Sequence, residues 1–201
     1  MSENVWRDRL QRWFTPLARH SWLSPNAVTI LALLIQLVAA ACLYRGAFLV
    51  AIVFVTIGGL ADAFDGVVAR VQQKESRFGD FLDHFADRIA DLALGAAWML
   101  GSGVRTEIAI VVLICIMLNG YIGTQIEATW KVREYDSIGR AEFVLALVVF
   151  PLVSHILAAN GWREIRGAGL TIPEWLSIAM ALFAILGIAQ RFAKAARMER
   201  S

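Results

Sequence analysis

Four aspartates, Asp62, Asp65, Asp83 and Asp87, stand inside stretches that are otherwise apolar enough to cross a bilayer. An ionised Asp near the centre of a membrane helix costs roughly 2.5 to 3.5 kcal/mol on insertion scales, so four of them require a compensating partner. Asp62 and Asp65 are three residues apart and Asp83 and Asp87 four apart, which puts each pair on one face of its helix. Two such helices side by side present four carboxylates to one cavity. An all-oxygen, anionic donor set suits hard divalent cations, Mg2+ or Mn2+, and two ions would neutralise it. The lack of a Cys or His cluster argues against zinc. A solvated acidic helix face is the ordinary explanation for a run of acids, but it fails here on context. Between positions 60 and 92 seven acids face only Arg70, Lys74, Arg77 and Arg88, and the flanks are apolar, so pairing within the segment leaves carboxylates over.

With their neighbours, these acids read Asp62-x-x-Asp65-Gly66-x-x-Ala69-Arg70, eight further residues, then Gly79-x-x-x-Asp83-x-x-x-Asp87. The string resembles the signature of the CDP-alcohol phosphatidyltransferases at every fixed position. The resemblance implies transfer of a phosphatidyl group from a CDP-linked lipid, CDP-diacylglycerol, to the hydroxyl of an alcohol or phospho-alcohol, with release of CMP. It implies Asp62, Asp65, Asp83 and Asp87 as ligands of two Mg2+ or Mn2+ ions, Asp87 as general base, and a homodimer. The family often carries Pro-Asn followed by Thr before the motif, here Pro25, Asn26 and Thr29. CDP-lipid is therefore expected against Asn26, Thr29, Asp62, Asp65, Gly66, Ala69, Arg70, Gly79 and Asp83. Small residues such as Gly66 and Ala69 let backbone and nucleotide approach closely. Arg70 has a second explanation, since arginines at helix ends commonly snorkel to the interface.

The elements that must position these residues are helices in a membrane. The chain has 201 residues, of which 58% are hydrophobic, and a mean hydropathy of +0.60. That is far more apolar than a soluble domain, and predicts an all-α, polytopic membrane protein built as one domain over 1–201. Spans are expected at about 26–45, 47–70, 78–99, 106–128, 140–159 and 173–193, six in all within a bundle over 26–198, each long enough for a hydrocarbon core of about 30 Å. Ser24-Pro25 reads as the start of the first, and Thr171-x-x-Glu174 opens the last with a capping-box pattern. Ahead of them, Trp6, Leu10, Trp13 and Leu17 recur at helical spacing among Arg7, Arg9, Arg12 and Arg19. This predicts an interfacial amphipathic helix over 1–23, restarted at Pro16, rather than a cleavable signal peptide. Cys42 and Cys115 lie in apolar segments and suggest no disulfide framework. His84 and His155 read as core or interface residues, His20 as part of the interfacial segment, and Arg88 and Asp91 as an ion pair. No nucleic-acid partner is expected.

Basic residues set the orientation, because Lys and Arg in short loops bias those loops to the cytoplasm. Fourteen fall on the side of the termini and the acidic motif, against Arg45, Arg105, Arg163 and Arg166 on the other. Both termini and the active site are therefore expected to face the cytoplasm from the cytoplasmic membrane. The same side carries Lys131, Arg133 and Arg140 between the fourth and fifth spans, which could hold an anionic acceptor by charge-assisted hydrogen bonds. Tyr121 to Glu127 followed by Gly139-Arg140-Ala141-Glu142 is similar to the branch of the family that uses inositol phosphate. A phosphorylated polyol such as inositol phosphate is thus the expected acceptor, with glycerol 3-phosphate or an amino alcohol as alternatives. The positive-inside bias by itself also explains basic residues in that loop. An ion-coupled transporter is the reading from another class, since intramembrane acids mark those too. A cation pathway has no need of Gly66, Ala69, Arg70 and Gly79 at these spacings.

Overall fold

The computed structural model describes residues 14–19, 23–131, 140–162 and 166–199, without the side chains of Arg140, Ala141 and Arg166. Six long helices follow one another: Pro25–Tyr44 (α1), Phe48–Val71 (α2), Arg77–Gly101 (α3), Thr106–Trp130 (α4), Arg140–Ala159 (α5) and Ile172–Met198 (α6). A two-residue antiparallel ladder, Arg166–Gly167 (β1) with Leu170–Thr171 (β2), precedes α6.

Local chemistry explains where the helices begin. Pro25 opens α1 at its first turn, although the Ser24 side chain makes no cap bond. Ser76 Oγ accepts the Gly79 N–H at 3.0 Å and caps α3. At α6 both halves of the expected capping box are present, between Thr171 and Glu174. Gly46 and Gly103 supply the left-handed residues, at φ +76° and +78°, that turn the chain after α1 and α3.

Among the described residues five helices, α1, α2, α4, α5 and α6, are long and apolar enough to cross a membrane. The sequence predicts six. The remaining one, α3, has 25 residues, about 37 Å at 1.5 Å per residue, but its charges take it below that apolarity. Those charges are segregated. Asp83, Asp87 and Asp91 lie on the face turned into the bundle, whereas Phe78, Phe81 and Phe85 are 61%, 62% and 53% exposed on the other. The aromatic rings of that outer stripe follow one another at 6.4 and 6.1 Å.

The helices group as α1, α2 and α3 on one side and α4 with α6 on the other, joined chiefly where α3 meets α4. The core sits towards the end away from the motif and contains Leu43, Val55, Trp98, Met99, Ile116, Leu147 and Met180. Trp98 is fully buried, and its indole N–H meets Ser154 Oγ at 3.3 Å. Nearer the motif, α1 and α2 cross at Gly58. A Cβ there would lie 2.8 Å from Gln36 Cδ, so a larger residue would displace that side chain. Seven residues on from Gly58, and seven back from Gln36, stand Asp65 and Thr29, two turns along each helix towards the same end.

Of the expected interfacial helix, residues 14–18 are described and helical. They pack on the end of α2, with Phe14 edge-on to Phe64 at 5.2 Å and Ala18 buried beside Val67 and Val68. Trp6, Leu10 and Trp13 lie outside the described residues.

Candidate active site

Two helices deliver the acids, α2 with Asp62 and Asp65 and α3 with Asp83 and Asp87. Thr29 on α1 fixes Asp65, donating its hydroxyl to Oδ2 at 2.6 Å in a buried contact. One carboxylate oxygen each from Asp62, Asp65 and Asp83 lie within 4.8 Å of one another. A second group of the same closeness joins Asp83 and Asp87 to a ring nitrogen of His84. Like charges at such a distance repel by roughly 3 kcal/mol per pair at an effective dielectric of about 20. Oxygen ligands at 2.0 to 2.6 Å from one ion are necessarily about this close. The donor set therefore fits hard divalent cations, as its residue types require.

Above these acids opens a cleft of about 310 Å³. All the residues expected around CDP-lipid line it: Asn26, Thr29, Asp62, Asp65, Gly66, Ala69, Arg70, Gly79 and Asp83. Asp87 is absent from that wall. It is buried on α3, one turn deeper than Asp83. Two glycines keep the cleft open for different reasons. A Cβ at Gly79 would come within 3.2 Å of Ser76 Oγ and 3.4 Å of Asn26 Oδ1, so glycine lets the start of α3 lie against α1. At Gly66 the nearest atoms to such a Cβ belong to the Arg70 guanidinium, 3.8 and 3.9 Å away, so Arg70 folds over the missing side chain. Lys74 joins Arg70 on the lining. Glu75 and Asp80 line the cleft too, so the rim is mixed in charge, and the acids below can hold cations while Arg70 and Lys74 face a phosphate chain above.

A second polar layer lies behind the acids, and sequence reasoning found only part of it. The expected ion pair is present, Arg88 Nη2 to Asp91 Oδ2 at 3.3 Å. The same guanidinium fills the space of a side chain at Gly120 on α4, where a Cβ would fall 1.6 Å from Nη1. Arg191 on α6, only 7% exposed, donates to the Asn119 main-chain oxygen at 2.7 Å and also to Asn119 Oδ1. Gly123 leaves it room, with Arg191 Cζ 3.4 Å from a Cβ built there. A signal existed, a lone Asn inside an apolar run followed by glycines at 120 and 123, but it did not name its partners. His84, read as a core or interface residue, instead faces Asp83, Asp87 and, at 3.7 Å, Glu127.

The acceptor residues are not brought together among the described residues. Lys131 is exposed in a left-handed conformation at the end of α4. Arg133 and the side chain of Arg140 lie outside the described residues.

A family profile described as CDP-alcohol phosphatidyltransferase matches residues 22–188, and the chain belongs to that family. With its apolar helices, this makes it an integral membrane protein. It is similar to an archaetidylinositol phosphate synthase of Pyrococcus horikoshii, 36% identical over 99 residues, which are 49% of this chain and 53% of that protein. It is also similar to a phosphatidylinositol phosphate synthase of Mycobacterium marinum, 33% identical over 192 residues, covering 90% of this chain and 77% of the other. Among solved structures, a phosphatidylinositol phosphate synthase of Mycobacterium tuberculosis in complex with manganese and citrate has the same fold. Its TM-score is 0.66 at 26% identity, over 90% of this chain and 87% of that one.

Proposed function

We propose that this protein transfers a phosphatidyl group from CDP-diacylglycerol to a phosphorylated polyol, inositol phosphate, with release of CMP. The observation that carries the reading is the convergence of Asp62, Asp65 and Asp83 on a cleft lined by every donor-binding residue of the motif. The names of the relatives, archaetidylinositol and phosphatidylinositol phosphate synthases, support the acceptor. So does the manganese in the similar solved structure for the metal.

The four Asp side chains hold two Mg2+ or Mn2+ ions. When bound, these supply Lewis-acid neutralisation of the diphosphate and of the charge that develops on the leaving CMP. Thr29 holds Asp65 in its rotamer. Gly66, Ala69 and Gly79 let the nucleotide approach the backbone, and Arg70 neutralises phosphate at the rim. Asp87 accepts the acceptor's hydroxyl proton as the new oxygen–phosphorus bond forms on the lipid phosphate and the bond to CMP breaks. Lys131, Arg133 and Arg140 receive the acceptor's own phosphate and aim its hydroxyl. The reaction faces the cytoplasm, and the active species is a homodimer of single-domain chains.

CMP release from CDP-diacylglycerol against inositol phosphate, glycerol 3-phosphate, inositol and amino alcohols tests the assignment. Inositol phosphate is expected to give the highest kcat/KM. Preference for another alcohol would overturn the acceptor and leave the reaction class, whereas no CMP release with any of them would overturn both. A cysteine in the 71–77 connection should be labelled from the cytoplasmic side alone, and labelling from the opposite side would reverse the orientation.

A further inference from the structure

His84 stands among the acids, yet the family motif assigns it no task. It follows Asp83 directly and precedes Asp87 by three residues. A nitrogen of its ring and one oxygen from each of those carboxylates lie within 4.8 Å of one another, as close as the three acids of the first group. Its Nε2 also stands 3.7 Å from Oε2 of Glu127 on α4, and the two side chains are 37% and 31% exposed. Neither side chain is thus a tightly packed core residue. Histidines that bind a metal through one ring nitrogen usually turn the other to a carboxylate, which fixes the tautomer and the plane of the ring. A proton on Nε2 aimed at Glu127 would leave Nδ1 its lone pair for a cation. The donor set here is two carboxylates and an imidazole. Purely oxygen sites suit Mg2+, while an imidazole nitrogen favours first-row transition ions.

We infer that His84 is a ligand of the ion shared by Asp83 and Asp87, oriented by Glu127, and that it makes this position prefer Mn2+ over Mg2+. The inference rests on the two-ion function proposed above and deepens it. Electron spin echo spectroscopy of the full-length, detergent-solubilised protein loaded with Mn2+ alone tests it. The wild type should show the 14N modulation of a directly coordinated imidazole, and 15N-labelling of histidine should abolish it without any substitution. His84→Gln should lose the modulation and bind the second Mn2+ about tenfold or more weakly, and Glu127→Gln should weaken it by a similar order. Mg2+ binding to both variants should change much less. Attribution is simple because the chain has only two other histidines, and His155 packs edge-on against Phe48 at the other end of the bundle. Two bound Mn2+ ions with no 14N modulation in the wild type would overturn the assignment of His84 alone. Modulation and affinity both unchanged in His84→Gln would do the same. No Mn2+ binding by the wild type would instead overturn the two-ion reading on which the inference rests.

Discussion

Glu174 and Asp65 are both carboxylates buried in long apolar helices, at opposite ends of the bundle, 2% and 7% exposed. Glu174 receives everything it needs from the chain. Arg105 Nε reaches it at 2.7 Å, the Thr171 N–H at 2.8 Å and the Thr171 hydroxyl at 3.2 Å. Asp65 receives the Thr29 hydroxyl and then meets the oxygens of Asp62 and Asp83. The difference separates an acid satisfied within its own chain from one placed for the metal-binding role proposed above. A buried carboxylate saturated by donors of its own chain holds helices together, whereas carboxylates turned towards one another call for cations from outside.

The sharpest way to break this comparison is to neutralise the acids one at a time. Asp62→Asn, Asp65→Asn, Asp83→Asn and Asp87→Asn should each lower turnover by at least about 10²- to 10⁴-fold. Chelation should abolish CMP release, and Mn2+ or Mg2+ should restore it. Near-native CMP release by folded Asp87→Asn would remove that residue from the base role. At the other end, Glu174→Gln should cost about 1.5 to 3 kcal/mol of stability, the scale of hydrogen bonds to a charged group. Turnover per folded molecule should stay at the wild-type level, so a loss of activity that thermal unfolding does not account for would blur the two ends into one. Thr29→Val keeps the shape and removes the donor to Asp65. It should lower kcat by about tenfold, which corresponds to about 1.4 kcal/mol, and no effect would mean that Asp65 needs no help from α1. The smallest change is expected from Arg133→Gln and Arg140→Gln, a few-fold rise in acceptor KM, on the scale of single exposed charge pairs. The KM for CDP-diacylglycerol should stay constant in both, and unchanged acceptor kinetics would remove these residues from the acceptor site.

The two ends also differ in how far they could be read from the sequence. The cleft was legible because its contacts follow short-range rules. Asp62 and Asp65, Asp83 and Asp87, and Arg88 and Asp91 share helix faces by spacing alone, and the motif supplied the convergence of α2 and α3 on one site, although both pack on α1 rather than on each other. The capping box of Thr171 and Glu174 was legible for the same reason. What completes Glu174 was not, since Arg105 lies 69 residues away along the chain. Arg191 with Asn119, 72 apart, and Arg88 in the notch at Gly120 are likewise contacts between helices, fixed by packing rather than by period. The count of spans shows the converse. Length and flanks predict a crossing at α3, and the acids of the motif are what lower its apolar character below that of the other five.

The crossing of α1 and α2 at Gly58 works as a fulcrum. Thr29 and Asp65 sit on the two lever arms about 10 Å beyond it, at 1.5 Å per residue over two turns. A methyl group at 58 would press first on the side chain of Gln36, which is itself buried. Where that side chain cannot yield, the strain passes along the arms towards the hydroxyl and the carboxylate. The contact between Thr29 and Asp65 is therefore exposed to a substitution that touches neither residue, two turns below the cleft.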